Sequence, residues 1–389
     1  LSHFEKNTST FLAAQLRAAG YEVTDHLGKY ENPAWHGYGV IGVMKNGAGP
    51  TLMVRSELDA LPVTEETGLP YASRTPGVMH ACGHDLHMTV LLGTARTLAQ
   101  SKNQWHGTLV ILYQPAEETI NGAQAMLADG LYQRIPRPDM VIALHDNAEL
   151  AAGRVGYTPG YSMASATSVS ITLHGVSAHG SLPERGKDPV VAAAELVLAL
   201  QTIVSRETSP FDQAVVTVGS IQAGTKNNII PDSATLLLTI RTDKEEVRQR
   251  ILASIQRMAQ GIALADGLPA SQPPEVKTYE YTPALYNDPA LTARLASIFS
   301  RTFGAANVAQ MPAVMASEDF GAYGLPNHQI PVCMFALGAV DPAKIAASEH
   351  GGPPLPSLHS SHFAPLPAPA IETGVKAMTA AVLGLMQPN

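Results

Sequence analysis

The run His80-Ala-Cys-Gly-His-Asp-Leu-His87 places three histidines, a cysteine and an aspartate within eight residues. Imidazole, thiolate and carboxylate are the usual protein ligands of zinc and related divalent ions. A lone histidine would carry no such meaning. Here the ligand types gather at the start of a helical pattern, and Gly83 permits a tight turn among them. A second run, Gln114-Pro-Ala-Glu-Glu118, follows directly on an apolar stretch. Neighbouring side chains on extended backbone point opposite ways. One carboxylate can therefore hold a metal while the other faces a metal-bound water, whose pKa falls to ~7 and whose proton a glutamate can take. Most Glu-Glu pairs are solvated turns, but position separates this one from them. Three apolar runs lead into ionisable residues: Thr51–Val54 into Arg55, Glu57 and Asp59, Thr108–Tyr113 into Glu117 and Glu118, and Met140–Leu144 into His145 and Asp146. In open α/β sheets, ligand sites lie beyond the carboxyl ends of the strands. A third run, Ser357-Leu-His-Ser-Ser-His-Phe363, offers His359 or His362 to complete a metal shell, and spacing does not choose between them. His3, His26, His36, His106, His174, His328 and His350 have no clustered partners and read as surface or satisfied core residues.

Such residues need a scaffold, and the 389 residues allow two to three domains at about 150 residues each. Hydrophobic residues make up 45% of the chain and charged ones 15%, so it can bury a sizeable core and is not disordered. A net charge of −8 argues against a basic nucleic-acid-binding surface. No uninterrupted apolar stretch of about eighteen residues occurs, so no membrane span is expected. Cys82 and Cys333 are the only cysteines, which excludes a disulfide framework. A soluble protein is expected, with the cytoplasm fitting somewhat better than export. Leu1 is not a start-codon product and Ser2 to Ala19 already reads as an amphipathic helix, so the N-terminus reads as trimmed.

Along the chain, Thr51–Arg55, Thr108–Tyr113 and Met140–Leu144 read as buried strands, with helical patterns over Leu86–Gln100 and Gly122–Ala128 between them. Strands alternating with helices predict an α/β domain with a mostly parallel sheet. The turn cluster Tyr157–Gly160 marks a boundary. Beyond it come a strand (Ser168–Leu173), a helix (Asp188–Glu207), strands at Ala214–Ile221 and Ala234–Thr242, a helix (Glu245–Ala265) and a strand (Glu275–Thr282). That β-α-β-β-α-β order is the ferredoxin-like α+β pattern. The α/β text then resumes with a helix at Ala290–Phe303, a strand at Val332–Ala336 and a helix at Ala370–Met386. The reading is therefore a larger α/β domain over 1–160 and 280–389, with a ferredoxin-like domain inserted over 161–279.

Six segments together resemble the M20 family of metallopeptidases and amidohydrolases. They are Arg55-Ser-Glu-Leu-Asp-Ala-Leu-Pro62, Met79-His-Ala-Cys-Gly-His-Asp-Leu-His87, Gln114-Pro-Ala-Glu-Glu118, Ala143-Leu-His145, Ser317-Glu-Asp-Phe320 and the His359 segment. They occur in family order and span Arg55 to Phe363. The likeness is to the branch of bacterial N-acyl-amino-acid amidohydrolases, hippurate hydrolases and plant auxin-conjugate hydrolases. The resemblance implies a catalytic domain with two divalent metal ions (Zn, Mn, Co or Ni) and a lid that makes a homodimer. It makes Cys82, His84, Glu118, His145 and His359 the metal ligands, with Cys82 where other members use a bridging aspartate. Glu117 becomes the general base and Asp59 a residue that orients a ligand. Gly175-Val-Ser-Ala-His-Gly180 resembles the lid segment whose histidine reaches a neighbouring active site across the dimer, which makes His179 an oxyanion donor. The family usually continues with Ala-Ala where this chain has Gly180-Ser181. Asn228-Ile-Ile-Pro231 resembles a segment whose asparagine meets the substrate carboxylate or oxyanion. The family's early Leu-His-x-x-Pro-Glu segment is largely missing, and only Leu1-Ser-His-Phe-Glu5 remains.

The implied reaction is metal-assisted hydrolysis of the amide bond of an N-acyl amino acid, a small-molecule substrate, with no nucleic acid or membrane partner. A dipeptidase or carboxypeptidase of the same family also needs a free substrate carboxylate, so the motifs do not separate the two. A non-catalytic binding protein on the same fold is disfavoured by the complete ligand set and the retained Glu117 and Glu118. A structural zinc protein fits poorly, because structural sites are closed and dominated by cysteine.

Overall fold

Thr51–Glu57 is buried at every position, and most of Gly107–Gln114 is too. Strands covered on both faces need continuous rather than alternating apolar character, which these runs have. In the computed structural model, which describes residues 1–387, they lie side by side. Gly107–Gln114, Thr51–Glu57, Met140–Ala151 and Val332–Val340 pair in parallel, in that order. Two strands at each margin, the inner one joined antiparallel, extend this to an eight-stranded sheet. Glu22–Leu27 and Gly39–Asn46 form a hairpin on one side, and Val155–Tyr157 with Val308–Gln310 lies on the other.

Two differences from the sequence reading bear on the site. The strand expected to stop at Leu144 runs on to Ala151, because Val332–Val340 continues the ladder beside it, with Ala336 opposite His145 and Leu337 opposite Asp146. His145 and Asp146 therefore sit within a strand, not beyond its end. The helix expected from Ser2 begins at Lys6. This helix, α1 (Lys6–Ala18), is preceded by a non-helical lead in which His3 has φ +68°. A second helix, α2 (His84–Gln100), follows Gly83, whose φ of +77° is the left-handed conformation glycine adopts freely.

The chain divides into two compact units. The larger comprises Leu1–Ser162, Tyr286–Ala313 and the chain from Asp319 onward. Its core packs α1, α2, Pro289–Phe303 and Pro367–Leu385 around the sheet, with Trp105, Tyr113, Phe299 and Phe335 fully buried. Cys333 is buried in this core, 3.3 Å from the Thr292 hydroxyl.

The smaller unit comprises Met163–Leu285 and has its own core. Ala214–Ala223, Ser233–Thr242, Ser165–His174 and Glu275–Thr282 form an antiparallel sheet in that order, covered by Pro189–Thr202 and Glu245–Ala265. Beside the insertion read at 161–279, this unit also takes in Val314–Glu318, where the Ala164 N–H donates to Ala316 O at 2.9 Å and Arg241 hydrogen-bonds the Ser317 hydroxyl. The segment Pro189–Glu207 is long and apolar enough to pass for a membrane span. Ala192, Ala193, Leu196 and Leu200 bury one face of it in the core, while Val191 and Leu198 are exposed.

Candidate metal centre

The larger unit draws four stretches of chain to one place. Cys82 precedes α2 and His84 opens it, so the Gly83 turn sets both side chains on the sheet side of the helix start, where both are buried. The Cys82 Sγ lies 3.5 Å from His145 Nε2 and 3.3 Å from His359 Nε2. His359 Nε2 is 3.5 Å from Glu118 Oε2, and His84 Nε2 is 4.0 Å from Glu118 Oε1 and 3.8 Å from Glu117 Oε2. Cys82 with His84 and His145, and Cys82 with Glu118 and His359, form two groups whose donor atoms lie within 4.8 Å of one another. His362, left level with His359 by spacing, turns to Glu66 instead, at 3.8 Å.

The ring nitrogens say which way each histidine faces. His84 Nδ1 donates to the backbone carbonyl of Asp59 at 2.9 Å, and His145 Nδ1 to the carbonyl of Asp146 at 2.8 Å. With Nδ1 spent on a carbonyl, each turns its Nε2 to the cluster. Anchoring one nitrogen to orient the other is the usual arrangement of metal-bound histidine. His84 Nε2 and Glu118 Oε1 are buried with no hydrogen-bond partner among the described residues. Buried polar atoms are nearly always partnered, so these orphans and the mixed S, N and O donors fit divalent cations. The His359 side chain is about half exposed, which leaves the cluster open on one side, as a catalytic site requires.

Electrostatics point the same way. Burial alone would raise the Cys82 thiol, but the charge of His145 and hydrogen bonds from His145, His359 and His84 hold it well below its usual range. Burial and that sulfur's charge push Glu118 up to about 7. Negative donors crowded this closely repel one another until a cation joins them.

Glu117 and Glu118 sit on a tight loop after Gly107–Gln114. Ala116 has φ +53° and Ile120 φ +49°. The Gly122 N–H donates to Ala116 O at 3.1 Å, and a Cβ on Gly122 would lie 1.7 Å from the Pro115 carbonyl oxygen, so only glycine fits. The Asp59 carboxylate does not hold His84 directly. Its Oδ2 accepts the Glu118 N–H at 3.0 Å and the Ser2 hydroxyl at 2.7 Å, while Oδ1 stands 3.5 Å from His84 Nδ1.

Beneath the cluster runs a buried polar network that sequence reasoning left without a role. Arg55 pairs with Glu57, with Asp319 at 3.0 Å and with Gln114 at 2.9 Å. Asp319 also accepts from Gln114 Nε2 and the Ala123 N–H. Glu57 accepts from His87 Nδ1 at 2.8 Å, and the Asp146 N–H donates to His87 Nε2 at 2.9 Å. Because a backbone N–H can only donate, the His87 proton sits on Nδ1. Both its nitrogens are engaged, which takes His87 out of the donor set. His3, read as one of the isolated histidines, is buried, stacked on Trp35 with ring centres 3.9 Å apart, and within 3.4 Å of the Thr119 hydroxyl.

His179 and Asn228 lie in the smaller unit. Ala178–His179 pairs with Ile229–Ile230, and the Gly180 N–H donates to Asn228 O at 2.8 Å, so one ribbon carries both side chains, each exposed. The Ser181 N–H donates to His179 Nδ1 at 3.1 Å, which leaves the ring proton on Nε2 as an outward donor.

Comparison with known proteins adds a second line. The family model described as peptidase family M20/M25/M40 matches residues 53–352. An N-acetyl-L-cysteine deacetylase of Bacillus subtilis (strain 168) is 38% identical over 293 residues, covering 75% of this chain and 67% of that protein. A hippurate hydrolase of Campylobacter jejuni is 38% identical over 320 residues, 81% of this chain and 79% of its own. Among solved structures, a Bacillus subtilis protein described as a dinuclear metal binding peptidase of the M20 family superposes with a TM-score of 0.78 at 28% identity. That match covers 99% of this chain and 94% of the other.

Proposed function

Because the chain belongs to peptidase family M20/M25/M40, we propose that it hydrolyses the amide bond of N-acyl amino acids, releasing a carboxylic acid and a free amino acid. The observation that carries this reading is the cluster itself: two overlapping donor groups share Cys82, with the Glu117 carboxylate beside them. Cys82, His84 and His145 would hold one divalent ion, and Cys82, Glu118 and His359 the other. When bound, the ions supply Lewis acidity at the scissile carbonyl and an acidified water. Glu117 takes the proton of that water as its oxygen attacks the carbonyl carbon, then delivers the proton to the amide nitrogen as the C–N bond breaks. Asp59 positions His84 through its carbonyl and the Glu118 backbone through its carboxylate.

In this reading the larger unit is the catalytic domain and the smaller one the lid. His179 Nε2–H stabilises the oxyanion and Asn228 meets the substrate carboxylate or oxyanion. A homodimer through the lid is supported by two features of its surface. Ala214–Ala223 is a margin strand with Ile221 exposed, and the adjoining helix exposes Val191 and Leu198. Unpaired strand margins and exposed apolar rows are the surfaces partners cover.

The test is a panel of acetyl and benzoyl amino acids and dipeptides, assayed after removing metal and restoring Zn, Mn, Co or Ni singly. Metal-dependent release of amino acid from the acyl compounds is expected. Preferential cleavage of dipeptides would reassign the chain as a peptidase, and binding without turnover under every metal would make it a binding protein.

A further inference from the structure

Glu5 precedes the first residue of α1, the position from which a polar side chain ordinarily accepts a hydrogen bond from the helix's own first N–H groups. Its side chain makes no such bond. Instead Oε1 reaches across to the loop after Gly107–Gln114, accepting the Ala116 N–H at 2.9 Å and the His3 N–H at 3.0 Å. The residue is 3% exposed, with no Lys or Arg ion pair among the described residues, and Oε2 has no hydrogen-bond partner there. Burial, together with the nearby Asp59, pushes its pKa up to about 7. A buried acid in such surroundings is costly to keep, and its bonds serve two backbone N–H groups.

We propose that Glu5 is a positioning residue for the reaction: by holding the Ala116 N–H it fixes the left-handed turn that presents Glu117 and Glu118. This rests on the reading of those two residues given under Proposed function. At φ +53° Ala116 occupies a region that residues with a Cβ rarely adopt, and such conformations persist only where the surroundings over-determine them. The surroundings here are a clamp. The Ala116 carbonyl accepts from the Gly122 N–H at 3.1 Å and the Thr119 hydroxyl at 3.3 Å, and its N–H is held by Glu5. Remove the carboxylate and the N–H is buried without a partner. The turn then relaxes toward ordinary φ, and the two glutamates that follow swing with it. The same lead segment meets the site once more, through the Ser2 hydroxyl on Asp59.

Three variants of the metal-loaded protein test this. Glu5→Ala is expected to lower kcat on the best N-acyl amino acid by ~10–100-fold with little change in KM, the scale of a misplaced catalytic group. Glu5→Gln keeps an acceptor oxygen and is expected to stay within about threefold of wild type. Glu5→Ala with Ala116→Gly is expected to recover part of the loss, because glycine adopts the turn unaided. A readout independent of turnover is amide hydrogen exchange at Ala116. It should be protected in wild type and Glu5→Gln, and about tenfold faster or more in Glu5→Ala. That measurement stands even if the chain hydrolyses another class of bond. Unchanged exchange in Glu5→Ala, or equal kcat losses in Glu5→Gln and Glu5→Ala, would overturn the proposal.

Discussion

The sulfur of Cys82 lies 3.3 Å from Nε2 of His359, across a sequence separation of 277 residues. The His359 N–H donates to Ala81 O at 2.8 Å, so the backbone of one ligand is tied to the residue before the other, and His359 takes φ +67° to make the approach. Two residues on, Ser361 bonds Glu66 through its hydroxyl at 2.7 Å and its carbonyl at 2.9 Å. The donor set therefore closes only when the two ends of the larger unit have come together.

This pairing separates the two histidines of its segment. His359→Ala is expected to lose about one of two metal equivalents, and His362→Ala neither. Cys82→Ser, which touches both donor groups, should lower the content further, since a hydroxyl is a poorer ligand than thiolate. Elemental analysis of the purified variants reads all three. Full occupancy in His359→Ala would remove that residue from the site.

Glu117→Gln should lower kcat by ~10²–10⁴-fold while metal content stays near wild type, because it removes a proton acceptor and leaves the ligands in place. If bound metal fell instead, Glu117 would be a ligand.

His179→Ala is expected to cost ~10²–10³ in kcat and leave metal content unchanged. The Ser181 N–H leaves the His179 proton on Nε2, so the imidazole is set as a donor. If this histidine serves the partner's site in a homodimer, mixing His179→Ala with Glu117→Gln should restore activity, since each mixed dimer carries one intact site. Mixtures no more active than their parents would confine His179 to its own subunit.

Glu5 also carries a pH signature in stability. Its pKa is raised in the folded protein from 4.5 to about 7, chiefly by burial. The folded state then binds the proton more tightly than the unfolded one. Its contribution is fully present below 4.5 and is lost as pH rises toward 7, by on the order of 3 kcal/mol. Glu5→Gln, which does not titrate, should gain in relative Tm over that window. Parallel Tm profiles for the two proteins would show that the carboxyl does not titrate in this way.

What could be read from the chain was what lies close together along it. His80–His87, Gln114–Glu118 and the order of strands and helices in both units are local patterns, and composition and periodicity carry them. The Arg55–Asp319 pair and the Glu5–Ala116 bond join residues far apart in sequence, and no periodicity registers such partners. The left-handed turns at Ala116 and His359 were also silent, because neither is glycine and their strain is imposed by tertiary bonds. The strand through His145 outruns its apolar content for a related reason: its last residues are held by the ladder to Val332–Val340.

The chain passes between its two units four times, after Ser162, Leu285, Ala313 and Glu318. The smaller unit is therefore not a cassette. Cutting out 163–285 and grafting it elsewhere would leave behind the strip Val314–Glu318, to which Ala164 and Arg241 are bonded. The residue just past that strip, Asp319, is the buried partner of Arg55 in the other unit. A recombination that exchanged the ferredoxin-like piece between relatives would have to carry both segments at once, so the two units are expected to be inherited as a pair and to have diverged together.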